Sequence, residues 1–200
     1  MADLLPVFLN LTGRLVLLVG GGRVAEAKLR QLIAAGARVR VVAPTIASSI
    51  AAAPVEAIER GFVPADLDDV WFVVAAATPE VNRSVAEAAQ SRRIFVNAVD
   101  EPPNATAYLS GVVRRADVTL AISTSGDAPA LTSLMREALD ALLPRDLDRW
   151  MAVAREQRAA WRSDAVAMDE RKPKLLRALN ELYERGRVDA EQYDRGVGSR

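Results

Sequence analysis

Residues 14–25 read Arg-Leu-Val-Leu-Leu-Val-Gly-Gly-Gly-Arg-Val-Ala. The run Leu15–Val19 is continuously apolar and contains β-branched valines, as is typical of a strand buried on both faces of a parallel sheet. Three glycines end this run, and an amphipathic segment follows them. The stretch therefore predicts a buried strand, a tight turn and the start of a helix.

The small residues of this turn match the dinucleotide-binding pattern G-x-G-x-x-A, with Gly21 inside it. Gly20 permits the tight turn, Gly22 lets backbone approach a pyrophosphate, and Ala25 lets the helix pack closely on the strand. The first N–H groups of the helix would face the phosphates. An ordinary strand-to-helix turn would use the same residues, so the flanking sequence has to decide between the two interpretations.

The flanking sequence has the order of a strand–helix–strand unit. A helix is predicted over Val24–Ala35, Gly36 is its stop signal, and Arg38–Ala43 reads as a second strand. This order favours a Rossmann-like α/β fold with a dinucleotide site at Gly20, Gly21 and Gly22.

The ribose-binding acid that often ends the second strand of such folds is missing, because Pro44 and Thr45 follow Ala43. We therefore expect the ribose to be bound by backbone groups and Thr45. Arg38 and Arg40 suggest a 2′-phosphate as an alternative, although solvated residues at a strand edge would give the same pattern.

Two further buried strands are predicted, over Trp71–Ala76 and Ile94–Val99. The first ends in small residues, which leave room for a ligand at the carboxyl edge of an open α/β sheet. Alanines that serve only to let a helix pack closely would give the same sequence pattern. Sheet geometry places Thr78 and Asn97 beside the nicotinamide of a bound dinucleotide.

The composition excludes several kinds of chemistry. The 200 residues contain 26 basic and 26 acidic side chains, so nucleic acid is an unexpected partner. With no cysteine and no histidine, disulfides, cysteine nucleophiles, Ser-His-Asp triads and the usual zinc ligands are excluded. No apolar run approaches the roughly 20 residues that span a bilayer, so we expect a soluble, cytoplasmic protein without a membrane partner or a resident metal.

The pattern changes after residue 105. Two strands outside the parallel set are predicted over Tyr108–Val113 and Val118–Ser123, and then a helix capped by Ser125 or Asp127. The remainder predicts two amphipathic helices, the second ending at Gly186. Their apolar stripes indicate a core or a subunit interface.

Several ordered motifs resemble the precorrin-2 dehydrogenase family, which includes bifunctional sirohydrochlorin ferrochelatases and the N-terminal region of sirohaem synthases. The matching stretches are Leu5–Phe8, Val19–Ala25, Ala34–Arg38, Ser91–Asp100 and Ile122–Leu131. The resemblance implies that NAD⁺ accepts a hydride from precorrin-2 to give sirohydrochlorin, that some members then insert Fe²⁺, and that the protein is a homodimer.

The resemblance also implies roles for individual residues. Asp100 falls on the family's catalytic aspartate, and a carboxylate base suits a reaction that removes both a hydride and a proton. The position-wise match places four further residues against NAD, namely Arg23, Val24, Pro44 and Thr45. The loop Ser123-Thr124-Ser125 is expected against the substrate, and Arg114 is a candidate anchor for its carboxylates, with Arg115 and Arg136 as neighbours.

The domain prediction combines these observations. Residues 1–112 form the Rossmann-like NAD-binding domain, 113–145 a small α+β dimerisation segment and 146–200 a helical C-terminal domain. The resemblance does not include the methyltransferase part of the large members, so SAM is not expected. A non-catalytic protein that senses NAD(H) is the alternative function; a short-chain dehydrogenase is excluded because Tyr108 is followed four residues later by Val112 instead of lysine.

Overall fold

The computed structural model describes residues 4–197, with side chains described as far as residue 184. Five parallel strands form one sheet in the order β3-β2-β1-β4-β5. The strands are β1 (Leu15–Val19), β2 (Arg38–Ala43), β3 (Glu56–Glu59), β4 (Phe72–Ala75) and β5 (Phe95–Ala98). The helices between them are α1 (Arg23–Ala34), α2 (Ser48–Ala51) and α3 (Pro79–Ser91). The predicted Rossmann-like α/β fold is confirmed.

The central strand β1 is buried on both of its faces. Val16 and Leu18 belong to the core that contains the buried side of α1, whereas Leu17 and Val19 belong to the core that contains the buried side of α3. A strand covered by helices on both faces has no solvent side, which explains its continuous apolar sequence.

The register of the sheet brings several strand ends to one edge. Val19 of β1 pairs with Val42 of β2 and with Ala75 of β4, and Ala75 pairs in turn with Ala98 of β5. Four strands therefore end at nearly the same level, and the loops that follow them share the carboxyl edge of the sheet. This edge is where open α/β sheets bind their ligands.

A buried carboxylate fixes the loop between β3 and β4. Asp66 accepts two hydrogen bonds from the Arg60 guanidinium, at 2.8 and 2.5 Å, and one from the Val63 N–H at 2.9 Å. The hydrogen bonds from Arg60 hold the pKa of Asp66 below its usual range, and the Val63 N–H adds to this effect. The sequence indicates only a turn here, whereas the structure has a 3₁₀ turn at Pro64–Leu67 around a buried ion pair.

A second compact unit is formed by Gly111–Ile122 together with the residues from Ser133 onward, while Ser123–Thr132 belongs to the first unit with the residues up to Ser110. The second unit contains the antiparallel strands β6 (Gly111–Arg115) and β7 (Val118–Ile122). Helix α4 (Pro129–Leu142) begins in the first unit and ends in the second.

Two long helices complete the second unit, α5 (Leu147–Ser163) and α6 (Met168–Val197). They pack through Trp150 and Tyr183, whose rings meet edge to face at a centroid distance of 6.2 Å. The predicted helix end at Gly186 is wrong, because α6 continues past it. One glycine costs a helix only about 1 kcal/mol relative to alanine, which is too little to end a helix of 30 residues. Among the described residues, no helix has the length and apolar character needed to cross a membrane.

We predict that Asp66→Asn lowers the free energy of unfolding at pH 7 by about 1–3 kcal/mol, because it removes charge-assisted hydrogen bonds from a buried site. A carboxylate whose folded pKa is lowered stabilises the protein above its unfolded pKa of about 3.9, and this contribution is lost as the pH falls through the folded pKa. The difference between wild type and variant should therefore shrink from pH 7 to pH 3 in urea titrations.

The control for this variant is Asp68→Asn, since the Asp68 carboxylate is exposed and lies 3.5 Å from Arg92. An equal loss of stability in both variants, or a difference that does not depend on pH, would contradict this account of Asp66.

Candidate functional site

The turn after β1 is held by close backbone contacts with both neighbouring strands. Gly20 has a φ of 130°, and a Cβ on it would overlap the Ala76 carbonyl. A Cβ on Gly21 would overlap the Thr45 carbonyl and come within 2.9 Å of the Ile46 Cα. These two glycines are therefore required by the packing of the protein itself.

Gly22 has different surroundings. No heavy atom lies within 4 Å of the position that its Cβ would occupy, and its φ of −96° is open to any residue. Gly22 is the N-cap of α1, and no side chain among the described residues caps the helix. Helix N–H groups without protein acceptors, next to open space, suit a phosphate or pyrophosphate. Ala25 is fully buried against the sheet, as the motif requires.

Pro44 and Thr45 are exposed where β2 ends, as the predicted ribose contact requires. The alternative of a 2′-phosphate held by arginines is not supported by their positions. Arg38 pairs in register with Leu15 at the amino end of β1 and Arg40 with Leu17 at its middle, and the Arg40 guanidinium donates to Glu56 at 3.0 Å.

Asn97 is a buried polar residue on the central sheet, beside Val74. Its Nδ2 donates to the Ala107 carbonyl at 3.0 Å, which fixes the orientation of the amide. Its Oδ1 is buried and accepts no hydrogen bond within the described part of the chain. An orphaned buried acceptor is rare in proteins, and a ligand N–H is one way to satisfy it. Thr78, also predicted to border the nicotinamide, is the exposed N-cap residue of α3.

Asp100 lies two residues beyond the end of β5, exposed, with a φ of 59°. Asp and Asn tolerate this left-handed conformation better than most residues. Lys28, half-buried on α1, is within electrostatic reach of it: burial lowers the pKa of Lys28, and the Asp100 carboxylate partly offsets that effect. Helix α1 thus connects the glycine turn with the neighbourhood of Asp100.

The residue after Asp100 is anchored by hydrogen bonds to two amides. Glu101 accepts at one carboxylate oxygen from Asn82 Nδ2 (3.0 Å) and at the other from Asn104 Nδ2 (2.7 Å). Asn82 is buried on α3, and its Oδ1 accepts from the Ala77 N–H at 3.0 Å. The loop that carries Asp100 is therefore tied to the turn that follows β4.

The loop Ser123-Thr124-Ser125 belongs to the same compact unit as Asp100. Ser125 has a φ of 56°, and its N–H donates to Ser123 Oγ at 3.1 Å. Thr124 Oγ1 accepts from the Ala128 N–H at 3.2 Å. Thr124 thus supplies a hydroxyl oxygen just before α4, and the cap predicted at Ser125 or Asp127 stays a prediction.

The glycine in this loop shows where the loop lies. A Cβ on Gly126 would be 3.2 Å from Pro102 and 3.9 Å from the Tyr108 ring. The hydroxyl-rich loop thus packs against the segment that directly follows Asp100.

The first unit thus contains nearly all of the predicted site residues, most of them just after its strands, with Asn97 inside β5. The cofactor residues are Gly20, Gly21, Gly22, Arg23, Val24, Pro44, Thr45, Thr78 and Asn97, and the others are Asp100, Ser123, Thr124 and Ser125. Arg114 is exposed on β6 in the second unit, so its role stays a prediction.

Sequence reasoning missed Lys28, Asn82 and Glu101. For Asn82 a signal exists, because Asn82, Val85 and Ala89 follow the helical spacing of a buried face, and a buried amide needs partners. No comparable signal marks Lys28 or Glu101.

The second unit has a cavity of its own, of about 350 Å³. Three of its lining residues are arginines, of which Arg115 donates to the Leu143 carbonyl and to Asp140. Elsewhere, within the part of the chain whose side chains are described, no group of three or more carboxylates could hold a metal ion.

Residues 7–111 match a family model described as "Putative NAD(P)-binding". The match includes the glycine turn, the strand ends and Asp100. The chain belongs to this NAD(P)-binding family.

Siroheme synthases match a larger part of the chain than this family model does. Siroheme synthase 1 of Aeromonas salmonicida (strain A449) is 41% identical over 183 residues, which are 89% of this chain and 39% of that protein. Siroheme synthase 3 of Aeromonas hydrophila subsp. hydrophila is 41% identical over 175 residues, which are 85% of this chain and 37% of that protein. The chain thus spans less than two-fifths of the length of these relatives.

A solved structure described as "SirC, precorrin-2 dehydrogenase" superposes with a TM-score of 0.71, covering 98% of this chain and 100% of its own. At 24% sequence identity, this likeness shows a shared fold.

We predict that two glycine substitutions in the turn affect different properties, one the stability of the protein and the other its NAD⁺ affinity. Gly20→Ala should lower the free energy of unfolding by at least about 1–3 kcal/mol from backbone strain alone, because it adds a Cβ against the Ala76 carbonyl. Gly22→Ala should change stability by less than about 0.5 kcal/mol, yet weaken NAD⁺ binding by tenfold or more because its methyl group enters the open space before α1.

Thermal unfolding and calorimetric titration with NAD⁺ check this pair. Unchanged NAD⁺ affinity in a folded Gly22→Ala protein would show that the dinucleotide does not bind at this turn.

Proposed function

We propose that this protein oxidises precorrin-2 to sirohydrochlorin with NAD⁺ as the hydride acceptor. The observation that carries the proposal is that the dinucleotide turn follows β1, while the orphaned acceptor on Asn97 lies in β5 and the exposed Asp100 just beyond it, and both strands end at one edge of the sheet. The 41% identity to siroheme synthase 1 and the shared fold with a precorrin-2 dehydrogenase support the choice of substrate.

NAD⁺ is preferred to NADP⁺ because no arginine directly follows β2, where it could bind the 2′-phosphate of NADP⁺. Gly22, Arg23 and Val24 offer backbone N–H groups to the pyrophosphate, while Pro44 and Thr45 border the ribose. Thr78 and Asn97 lie toward the nicotinamide, where Asn97 Oδ1 accepts from an N–H of the ligand.

Oxidation of the macrocycle removes two electrons as a hydride, together with one proton. NAD⁺, when bound, supplies the hydride acceptor. Asp100 acts as the base that takes the proton, and its exposure leaves it accessible to a large substrate. Its left-handed backbone and the anchored neighbour Glu101 fix the point from which the carboxylate extends.

Precorrin-2 carries several carboxylates, so hydroxyl and guanidinium donors suit it. Ser123 and Ser125 present hydroxyls beside the segment that follows Asp100, whereas the Thr124 hydroxyl is engaged by the Ala128 N–H. The role of Arg114 as an anchor for a substrate carboxylate stays a prediction.

Insertion of Fe²⁺ into sirohydrochlorin is the second step that we propose, with the metal as a substrate. The macrocycle provides four nitrogen ligands, so the reaction needs no protein metal cluster, and Asp100 can remove the pyrrole protons in turn. We place both steps in the cytoplasm.

The domain organisation that accompanies this function has an NAD-binding part (1–112), a dimerisation segment (113–145) and a helical part (146–200). A homodimer is supported by α4, where four apolar side chains are exposed on one face. These are Leu131, Leu134, Met135 and Leu142. An apolar stripe of this kind on a helix marks an interaction surface.

The proposed function is tested by mixing the purified protein anaerobically with precorrin-2 and NAD⁺. We expect absorbance of NADH and of sirohydrochlorin to rise together, one molecule of each per precorrin-2 consumed. Addition of Fe²⁺ should then give the sirohaem spectrum faster than the uncatalysed reaction. Binding of NAD⁺ without any turnover would contradict the proposal and favour a sensor of NAD(H).

We predict that Asp100→Asn lowers kcat by about 10²–10⁴-fold while the dissociation constant for NAD⁺ stays within twofold. Asparagine tolerates the left-handed φ of Asp100, so the loop should keep its conformation. Asp69→Asn is the matched control, because Asp69 is also exposed and has a φ of 64°. Normal turnover by Asp100→Asn would mean that another group removes the proton.

We predict that Leu134→Glu converts a dimer into a monomer of 21.6 kDa in light scattering, because Leu134 is 65% exposed at the centre of the α4 stripe. Leu176→Glu, which alters an exposed leucine on α6 outside the proposed segment, should leave the dimer intact. A wild-type protein that is monomeric at micromolar concentration would contradict the dimer.

A further inference from the structure

Glu101 is the residue next to the proposed base, and both of its carboxylate oxygens are occupied. One accepts from Asn82 Nδ2 at 3.0 Å and the other from Asn104 Nδ2 at 2.7 Å. Both oxygens of this carboxylate are thus held by hydrogen bonds from the protein itself, whereas the neighbouring Asp100 is exposed.

The two amide partners reach in different directions. Asn104 closes the loop on itself, because its backbone N–H also donates to the Glu101 carbonyl at 3.0 Å. Asn82 reaches across to the neighbouring strand end: it is 2% exposed on α3, and its Oδ1 accepts from the Ala77 N–H at 3.0 Å. A continuous chain of hydrogen bonds thus runs from the turn after β4 to the loop after β5.

This chain of hydrogen bonds requires a polar side chain at position 101. A leucine of similar size would leave the buried Nδ2 of Asn82 without an acceptor. A glutamine would still accept from Asn82, and it would donate to Asn104 once the Asn104 amide rotates to present its Oδ1. The role of Glu101 is therefore defined by its hydrogen bonds to both amides, which glutamine can keep and leucine cannot.

Asp100 lies between two fixed points. On one side β5 ends at Ala98 inside the core, and on the other Glu101 is held by its two amides. The single residue Asp100 adopts the left-handed conformation that this geometry demands, with a φ of 59°. The direction of its side chain therefore depends on the position of Glu101.

We propose that Glu101 is a positioning residue, which holds Asp100 in place through Asn82 and Asn104 and couples it to the Ala77 turn on the dinucleotide side. This inference rests on the proposed role of Asp100 in precorrin-2 oxidation. The two neighbouring carboxylates then have different tasks. Asp100, which reacts, is exposed, whereas Glu101, which positions it, accepts hydrogen bonds from two amides.

The test compares Glu101→Leu, which removes both acceptors at similar size, with Glu101→Gln, which can keep a hydrogen bond to each amide. We expect kcat to fall at least tenfold in Glu101→Leu with the KM for NAD⁺ within threefold, and to stay within threefold of wild type in Glu101→Gln. Glu87→Leu, at an exposed glutamate on α3, controls for the loss of a charged side chain.

Thermal unfolding of every variant separates positioning from folding, and Asn104→Ala provides a second route if Glu101→Leu does not fold. Asn104→Ala removes one hydrogen bond and keeps the Asn82 contact, and it should lower kcat in a folded protein. Wild-type turnover in Glu101→Leu or Asn104→Ala, or a folded Glu101→Gln protein no more active than Glu101→Leu, would overturn the inference. If the wild-type protein does not oxidise precorrin-2, that result contradicts the proposed function itself, whereas the outcomes above contradict only the role of Glu101.

Discussion

The close approach of three backbone segments at the end of β1 is the constraint on which the site depends. The carbonyls of Ala76 and Thr45 lie against Gly20 and Gly21, so the turn has no room for a side chain at either position. This packing directs the chain into α1 with its first N–H groups uncovered, and it leaves Gly22 facing open space. The dinucleotide site is therefore a consequence of how tightly β1, β2 and β4 meet.

The polar residues near the proposed base differ in whether their hydrogen-bonding groups have partners within the protein. Glu101 and Asn82 have hydrogen-bond partners within the protein, which hold their side chains in place. Asp100 is exposed, Asn97 Oδ1 is buried without a partner among the described residues, and Lys28 carries a charge that burial disfavours. Groups that are incompletely satisfied are those that a ligand can satisfy, and Asn97 and Asp100 lie at or just beyond the carboxyl end of β5.

The fold could be predicted because its signals are local. A strand buried on both faces is a continuous apolar run, and the glycines and prolines that bound it have specific backbone conformations; Gly36, with a φ of 75°, ends α1 as expected. The partners of individual polar side chains gave no such pattern. The Arg60–Asp66 pair depends on how the loop between β3 and β4 folds back on itself, and the Asn82–Glu101 bond depends on which segments meet. Which of several neighbouring oxygens reaches the Ala128 N–H depends on the conformation of the loop before α4. The Gly186 prediction failed because packing and helix propensity outweigh one unfavourable residue.

The central claim is that one edge of the sheet holds both the dinucleotide and the base. A crystal structure of the protein with NAD⁺ and sirohydrochlorin tests it directly. The account predicts the pyrophosphate on the N–H groups of Gly22–Val24, the nicotinamide carboxamide donating to Asn97 Oδ1, and the macrocycle in contact with Asp100. A dinucleotide bound in the opposite direction, with its adenine beside Asn97 and its nicotinamide beyond β2, would contradict it.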